Sequence, residues 1–328
     1  MKVLVTGGAG MIGSNLCRRL LEEGHEVVVV DNLWRGSLEN LSLCCGELYP
    51  NITFHNADLS YYGDWVAYFK DIDCVYHLAD IVAGIGYVFS NENTVFRKNL
   101  QINCNVASAC ELFNVGRYVY VGTACSFPLH LQTGVNAAPL KETDQYPAHP
   151  ESAYGWSKLM GELDAGYMAK YANIDTVTLV FHNVYGIPCE YNSVRSQVLP
   201  ALAYKGLRAL ETGKLVVWGD GEQGRAFVHI DDIVEALFTA LTKGHGAGPI
   251  QIGPDICTSI SAAAKVITGY LGGNIEIVYD TSKPKGDLGR SADFSKAQTV
   301  LGWSPEVDFR DGVTEMLNWI AEKEGIRF

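Results

Sequence analysis

Tyr154 and Lys158 stand four residues apart in the run PESAYGWSKLMGE, whose composition favours a helix. At this spacing both side chains lie on one helical face. A lysine ammonium beside a phenol lowers the pKa of the phenol from its reference value of about 10, so Tyr154 would exchange a proton with a substrate hydroxyl near neutral pH. The same spacing occurs on ordinary surface helices, so the surrounding motifs must decide between the two interpretations.

A glycine-rich turn lies near the start of the chain. The apolar run KVLVT predicts a strand over residues 2–6, GGAGMIG follows it, and apolar residues then repeat at helical spacing from Ile12. Gly7 allows the tight turn, Gly10 the approach of backbone amides to a pyrophosphate, and Gly13 close helix packing. A turn without a ligand is the alternative. The residues expected at this dinucleotide site are Gly7, Gly10, Met11, Ile12 and Gly13.

The second predicted strand, HEVVVV, ends in Asp31, which Asn32 follows. A carboxylate at this strand end accepts hydrogen bonds from the adenosine ribose hydroxyls and repels a 2′-phosphate, which favours NAD over NADP. Arg35 nearby is the opposing feature, because a guanidinium suits a phosphate. We therefore expect NAD as the cofactor, with Asp31 and Asn32 at its ribose.

Strands continue to alternate with helices. ITFHNADL and DCVYHLAD predict the third and fourth strands, the latter ending near Ala79, and RYVYVGT predicts the next. Helices are expected over 94–115 and 151–171. This alternation predicts an α/β fold with a doubly wound parallel (Rossmann) sheet. Thr123 and Cys125 follow the RYVYVGT strand on the carboxyl side of the sheet, where such folds bind ligands.

The alternation loosens from about Asn183, and short segments such as VVWGDGEQGRAFVHIDD predict a smaller C-terminal α/β substrate lobe. We expect residues 1–182 to form the cofactor-binding domain and residues 183–328 to form mainly the substrate lobe, with some chain returning to the first domain. Arg225 and Arg290 are either solvated surface groups or, in their glycine-rich contexts, a bidentate clamp for a diphosphate.

Composition limits the function classes. The 328 residues, 48% hydrophobic and 19% charged, fit a globular protein with a large core, and the net charge of −12 disfavours a nucleic-acid partner. Nine cysteines without C-x-x-C spacing predict neither a disulfide framework nor a metal site. No basic segment with an apolar run follows Met1, and no apolar stretch approaches about 18 residues, so we expect a cytoplasmic protein that does not enter the membrane.

These motifs, in this order, resemble the extended short-chain dehydrogenases/reductases, in the group of NAD-dependent epimerases and dehydratases that act on nucleotide sugars. The resemblance runs from GGAGMIG to LGWSP. It implies that Tyr154 takes a proton from a ring hydroxyl while hydride moves to NAD, which leaves a 4-keto sugar, and that Thr123 bonds the same hydroxyl. It also implies a homodimer built through the helices over 94–115 and 151–171.

The resemblance assigns further residues. Those at the cofactor are Asp58, Leu59, Leu78, Ala79, Asn99, Tyr154 and Lys158, and those at the substrate are Gly84, Asn183, Gln197, Trp218, Arg225 and Arg290. The glycine-bearing segment AGIGYVFSNE, residues 83–92, is expected to be a loop that covers part of the ligand cleft. A plain surface loop is the alternative for that segment.

Within the group, TACSFP, PESAYGWSK, AGIGY and FHNVYG resemble the GDP-mannose 3,5-epimerases, with the GDP-fucose synthases next, so a GDP-sugar is the favoured substrate. Both subfamilies carry a cysteine two residues after the active-site serine or threonine, and here that position is Cys125. A thiolate whose pKa falls beside Lys158 and the nicotinamide would remove the acidic ring proton next to the ketone. A buried structural cysteine is the alternative.

The chain departs from these relatives at Gln197, where the 3,5-epimerases carry a lysine and the fucose synthases a histidine. An amide has no useful pKa, so a double inversion lacks its acid unless water or another loop residue supplies one. Ala124 and Cys125 replace the Asp-Glu pair of standard 4,6-dehydratases, which disfavours that reaction. A 4-epimerase, a dehydratase in which Cys125 starts the elimination, and a non-catalytic NAD-binding sensor remain as alternatives.

Overall fold

Strands and helices alternate along the chain in this computed structural model, which describes residues 1–272, 274–283 and 286–328. The strands are, in chain order, β1 (Lys2–Thr6), β2 (Glu26–Asp31), β3 (Ile52–Asn56), β4 (Cys74–His77), β5 (Arg117–Thr123), β6 (Asp175–Phe181), β7 (Asn183–Tyr185), β8 (Lys214–Trp218), β9 (Gly224–Arg225), β10 (Phe227–His229), β11 (Pro249–Ile252), β12 (Thr258–Ser259) and β13 (Glu276–Asp280). The helices are α1 (Met11–Glu22), α2 (Leu38–Cys45), α3 (Ile85–Ser90), α4 (Glu92–Leu112), α5 (Ala153–Tyr171), α6 (Val198–Thr212), α7 (Ile230–Ala240), α8 (Ile260–Leu271), α9 (Ser295–Leu301) and α10 (Phe309–Glu324).

Seven parallel strands form the central sheet, in the order β11-β6-β5-β4-β1-β2-β3. The chain runs outward from β1 to β3 and then returns to place β4 on the other side of β1. In open sheets of this kind ligands bind outside the carboxyl ends of the strands, at the point where the strand order reverses. The predicted doubly wound parallel sheet is confirmed.

Both faces of the sheet are covered, which explains why strands such as β1 and β2 are apolar at successive positions. Val3 and Val5 of β1 pack in one buried cluster with Leu16 of α1, whereas Leu4 packs on the opposite face in a cluster with Ile102 of α4. Successive side chains of a strand point to opposite faces, so a strand buried on both sides needs an apolar residue at each position.

The second half of the chain builds a third apolar cluster from α6, α8 and α10. Three short pairs accompany it: β7 with β10, β8 with β13, and β9 with β12. Strand β11 leaves this region and pairs with β6 at the edge of the central sheet. The division at residues 182 and 183 stays a proposal, and so does the return of some chain to the first domain. Strand β11 and the helices α7 and α9, which pack in the cluster of Val3 and Val5, are the segments that support it.

Some predicted boundaries differ from the structure. Residues 85–90 of the expected loop form the short helix α3, and β4 ends at His77, two residues before Ala79. Pro284 and Lys285, which precede Arg290 in the segment KPKGDLGR, lie outside the described residues. Across the described ranges, none of the helices combines the length and the apolar character that crossing a bilayer requires.

Candidate active site

A cavity of about 1460 Å³ lies at the carboxyl ends of β1, β2, β4 and β5 and extends between these strand ends and the second lobe. Most residues predicted from the sequence meet in its wall. Those in the wall are Gly7, Gly10, Met11, Ile12, Gly13, Asp31, Asn32, Asp58, Leu59, Leu78, Ala79, Gly84, Thr123, Cys125, Tyr154, Asn183, Gln197, Trp218, Arg225 and Arg290. Segment 83–92 also contributes to the wall through α3.

The glycine turn makes room for an anion at the start of α1. Gly7 has a φ of +70°, in the left-handed region that glycine adopts at little cost, and a Cβ on Gly13 would lie 2.5 Å from the Cα of Gly8. Helix α1 begins at Met11, so its first backbone N–H groups are directed to the cavity side of the turn. A pyrophosphate fits this arrangement, because helix N-termini favour negative charge.

Asp31 ties the end of β2 to the glycine turn. Its Oδ2 accepts a hydrogen bond from the Ala9 amide at 3.0 Å and its Oδ1 one from the Leu33 amide at 2.7 Å, while burial raises the pKa of the carboxyl. The guanidinium of Arg35 is bonded to other protein groups: its Nε lies 3.3 Å from Glu190 Oε2, and its Nη1 donates to the Val82 carbonyl. Arg35, the residue that argued for NADP, is therefore paired with protein groups and not directed to a 2′-phosphate.

Two ion pairs and a hydrogen bond that the sequence analysis missed join the loop after β2 to the loop before α6. Glu190 pairs with Arg35 and, at 3.1 Å, with Nη2 of Arg195. Arg195 also donates to the Trp34 carbonyl and lies over the Trp34 ring, 5.3 Å from its centroid. All these residues except Arg195 line the cavity. We call these four residues, Trp34, Arg35, Glu190 and Arg195, the clasp.

The helix that carries Tyr154 starts against the loop that carries Cys125. Ser152 caps α5 by accepting a hydrogen bond from the Gly155 amide at 3.3 Å. A Cβ at position 155 would collide with the Cys125 carbonyl, so the glycine permits the close approach. Tyr154 and the Cys125 thiol thereby reach one cavity from two elements.

The expected effect of Lys158 on Tyr154 is wrong in this structure. Burial, followed by the charge of Asp80, raises the pKa of the Tyr154 phenol well above its usual range. Nζ of Lys158 lies 3.3 Å from Asp80 Oδ2, the same oxygen that accepts a hydrogen bond from the Tyr154 hydroxyl at 3.3 Å. The carboxylate of Asp80 therefore lies next to the Lys158 ammonium, a contact that the sequence analysis did not predict.

Asn99 and Lys158 are buried and are not among the residues of the cavity wall, and their expected cofactor contacts stay predictions. Asn99 is bonded within the protein. Its Oδ1 accepts a hydrogen bond from the Ile81 amide at 2.7 Å, and its Nδ2 donates to Ile81 O and to Ser157 Oγ. These bonds fix the segment after β4 to α5. Asn99 thus holds the wall that carries Asp80.

Cys125 has a cationic neighbour other than the one expected. Its Sγ accepts a hydrogen bond from Nη2 of Arg290 at 3.2 Å, whereas Lys158 pairs with Asp80. Thr123 Oγ1 accepts a hydrogen bond from the Cys125 amide at 3.2 Å, which fixes the short turn between them. The charged group in contact with the Cys125 thiol is therefore the guanidinium of Arg290.

Arg225 and Arg290 are not solvated surface groups. Their side chains are 11% and 4% exposed, and one carboxylate, that of Asp287, pairs with Nη1 of both. Arg290 also donates to Gln132 Oε1 at 2.6 Å. Although burial opposes it, the charges of Arg290 and Arg225 hold the pKa of Asp287 below its usual value. The two cations and their shared carboxylate form one unit in the cavity wall.

Glu151 is a second acid that the sequence analysis passed over, although it lies inside PESAYGWSK. Its Oε2 accepts a hydrogen bond from the Asp287 amide at 3.2 Å, and its side chain lines the cavity. Burial, and then the Asp287 charge, raises the pKa of its carboxyl. Gln197, at the start of α6, shares this cavity and has no ionisable group.

A doubly wound sheet with a glycine turn and a tyrosine–lysine helix at its switch point defines an enzyme that uses a dinucleotide to oxidise a hydroxyl. The model of the NAD dependent epimerase/dehydratase family matches residues 3–253, and the chain belongs to that family. It is an NAD-dependent nucleotide-sugar epimerase/dehydratase rather than a non-catalytic sensor. Bound NAD supplies the hydride acceptor and donor.

Relatives agree on the class and differ in the reaction. The chain is 31% identical to GDP-mannose 3,5-epimerase 1 of Oryza sativa subsp. indica over 325 residues, 98% of this chain and 82% of that protein. It is 29% identical to a putative UDP-glucose 4-epimerase of Methanocaldococcus jannaschii, over 97% and 98% of the two chains. The structure of a UDP-glucose 4-epimerase from Thermotoga maritima with UDP-glucose matches with a TM-score of 0.88 at 27% identity, covering 99% and 100%.

Proposed function

We propose that the protein epimerises a nucleotide sugar through a transient 4-keto sugar, in the manner of a GDP-mannose 3,5-epimerase, with Cys125 as the base that removes a ring proton. The observation that carries the proposal is the thiol of Cys125 in the same cavity as Tyr154, with Arg290 Nη2 donating to it at 3.2 Å. The 31% identity to a GDP-mannose 3,5-epimerase over nearly the whole chain supports this choice and the preference for a GDP-sugar.

The side chains divide the reaction between them. Tyr154 takes the proton of the C4 hydroxyl, and Thr123 Oγ1 holds that hydroxyl while hydride leaves the carbon for NAD. The ketone makes the neighbouring C–H bonds acidic, and the Cys125 thiolate removes one of these protons. Gln197 cannot carry a proton, whereas Glu151, in the same wall and with a raised carboxyl pKa, can, so we assign Glu151 the return of the proton.

The substrate lobe would hold the nucleoside diphosphate. Asp287 keeps the guanidiniums of Arg225 and Arg290 side by side, and their remaining N–H groups suit phosphate oxygens. Trp218, 44% exposed in the cavity wall, offers a ring on which a nucleobase stacks. These assignments rest on the family resemblance and on the position of the side chains.

The test is incubation with GDP-mannose, UDP-glucose and UDP-glucuronic acid in deuterated water, read by mass and NMR spectra. We expect deuterium at ring carbons and inverted product from GDP-mannose. Cys125→Ala should still reduce bound NAD but lose the exchange, whereas Cys104→Ala, at an exposed thiol on α4, should match the wild type. Exchange by Cys125→Ala at the wild-type rate would make Cys125 a structural residue.

A simple 4-epimerase is the second candidate, because Gln197 offers no acid and a 4-epimerase needs only Thr123, Tyr154, Lys158 and NAD. The similarity to a UDP-glucose 4-epimerase of known structure favours it. Inversion at C4 of UDP-glucose without deuterium uptake would establish this reaction instead. Loss of water from any of the sugars would indicate a dehydratase in which Cys125 starts the elimination.

We also propose a homodimer formed through α4 and α5. Apolar side chains stand exposed on these helices. They are Phe96 and Leu112 on α4 and Leu163, Tyr167 and Tyr171 on α5. Sedimentation analysis should give a dimer for the wild type and a monomer for Tyr167→Glu, since a charge in an apolar interface is costly. A wild-type monomer at micromolar concentration would exclude this assembly.

A further inference from the structure

Asp80 lies just after β4, at the carboxyl edge of the sheet, and lines the cavity. Its Oδ2 is 3.3 Å from the Tyr154 hydroxyl and 3.3 Å from Nζ of Lys158. The side chains of Asp80 and Lys158 are 10% and 2% exposed. One carboxylate oxygen therefore joins the two residues of the tyrosine–lysine pair in a water-poor environment, where hydrogen bonds between charged and neutral groups are strong.

A tyrosine that receives the proton of a substrate hydroxyl must first release its own. Burial and the Asp80 charge raise the pKa of the Tyr154 phenol, so in this environment the phenol keeps its proton at neutral pH. A proton acceptor in direct contact with the hydroxyl resolves the conflict, and Asp80 Oδ2 is already in hydrogen-bond contact with it.

The other groups that face this pair do not provide the acceptor. They are His77 of β4, Tyr120 of β5, Cys125 and Lys158. Burial, with Lys158, lowers the pKa of His77 to about 3, so its ring is neutral, but it is bonded to Thr6 and Asn103. Burial raises the pKa of Tyr120, which donates to the Lys158 carbonyl, and the Cys125 thiol faces Arg290. Lys158 is a cation and has no acceptor.

We propose that Asp80 is a positioning residue that receives the phenolic proton of Tyr154 when the substrate hydroxyl is oxidised. The O–H bond of Tyr154 breaks as an O–H bond forms on Asp80 Oδ2. The phenolate, next to Lys158, then takes the hydroxyl proton of the sugar while hydride leaves the same carbon for NAD. When the ketone is reduced, both protons move back. The inference rests on the proposed oxidation of a sugar hydroxyl by Tyr154 and adds the place where the tyrosine proton goes.

The relay has a kinetic signature. In the wild type Asp80 takes the phenolic proton during the reaction, so the phenol need not ionise beforehand, and the acidic limb of kcat/KM against pH should lie well below the titration of the Tyr154 phenol. In Asp80→Asn the phenol itself must ionise, so the acidic limb should move to higher pH and coincide with the phenol titration. At neutral pH the rate should fall by about 100-fold or more, the range of general acid–base groups.

The phenol titration is measured by tyrosinate difference absorbance, with Tyr154→Phe in each background to isolate one tyrosine. In Asp80→Asn the pKa of Tyr154 should fall, because the carboxylate charge is gone and Lys158 remains. This readout needs no turnover, so it tests the Asp80–Tyr154 coupling even if none of the sugars reacts and the proposed function fails. Kinetics would use GDP-mannose, or UDP-glucose if only that sugar turns over.

Controls separate the relay from a structural effect. Asp73→Asn, at an exposed carboxylate just before β4, should leave both the titration and the profile unchanged. Asp80→Glu should keep the wild-type acidic limb even at a reduced rate. Superimposable profiles for wild type and Asp80→Asn would overturn the proposal. So would a wild-type acidic limb that coincides with the Tyr154 titration, a result that requires no Asp80 variant to fold.

Discussion

The two halves of the cavity are built by different means. The half expected to bind the cofactor, here called the cofactor half, is held by contacts close to the glycine turn: Asp31 accepts hydrogen bonds from the amides of Ala9 and Leu33, and α1 begins directly after the turn. In the half expected to bind the substrate, here called the substrate half, Asp287 pairs with Arg225 and Arg290, and Arg290 donates to Gln132, 158 positions away in the sequence. The cofactor half is formed mainly by backbone groups, and a local sequence motif specifies it. The substrate half is a buried charge network that only the folded chain assembles.

This difference predicts different responses to mutation. A site formed by backbone groups should stay folded when one side chain is removed, and the loss should appear in ligand affinity or specificity. A buried charge network fails in stability, because removing one partner leaves the others desolvated and unpaired. Tyr154, in the cavity wall between the two halves, should respond in rate alone.

The largest effect is therefore expected at Tyr154. Tyr154→Phe removes the transferable proton and keeps the ring, so kcat should fall by about 10²- to 10⁴-fold while the binding of NAD and of the nucleotide sugar stays near wild type. Steady-state kinetics and calorimetric titration with each ligand measure the two parts. A variant that keeps most of the wild-type kcat would remove Tyr154 from the mechanism.

The success of the sequence-based predictions also differs between the cofactor half and the substrate half. The parallel sheet, the glycine turn and the placement of Asp31, Thr123 and Cys125 at strand ends were predicted, because apolar periodicity and strand-end position are local properties. The charge partners were not. The sequence indicated Lys158 as the cation at Cys125, and the fold supplies Arg290 instead. The contacts of Asp80 with Lys158 and Tyr154 were missed for the same reason, because residue spacing does not show which side chains the fold brings together.

The next effect is in the substrate half. Asp287→Ala leaves two buried guanidiniums without their shared carboxylate and should lower the free energy of unfolding by about 3–5 kcal/mol. Denaturant unfolding measures it, and Asp255→Ala, at an exposed carboxylate in the same lobe, should change stability by less than about 0.5 kcal/mol. Equal stability of the two variants would mean that the arginines do not depend on Asp287.

A smaller effect is expected in the cofactor half. The wild type should bind NAD more tightly than NADP by about 10- to 100-fold, or about 1.4–2.8 kcal/mol, because the Asp31 carboxylate repels a 2′-phosphate. Asp31→Asn should reduce that ratio without unfolding the chain, while Asp64→Asn, an exposed carboxylate beyond β3, should not change it. Equal affinity of the wild type for both cofactors would refute the role of Asp31.

The smallest effect is expected at the clasp, which connects the two halves. Glu190 pairs with Arg35 and Arg195, but these side chains are 21–32% exposed, and ion pairs of that kind contribute about 0.2–1 kcal/mol. Glu190→Gln keeps the size of the side chain and removes its charge. The free energy of unfolding should therefore change by less than about 1 kcal/mol.

The rate of cofactor release should change more visibly than stability does. The clasp joins the loop after β2, next to the expected ribose site, to the loop before α6. We therefore expect these loops to separate when a bound dinucleotide leaves. Loss of about 1 kcal/mol of pairing would raise the dissociation rate by about fivefold, which stopped-flow displacement of NADH measures by its fluorescence. Glu211→Gln, which removes the exposed pair with Arg208 on α6, is the matched control and should leave release unchanged. Identical release rates for Glu190→Gln and wild type would mean that the two halves hold the cofactor independently, each by its own means.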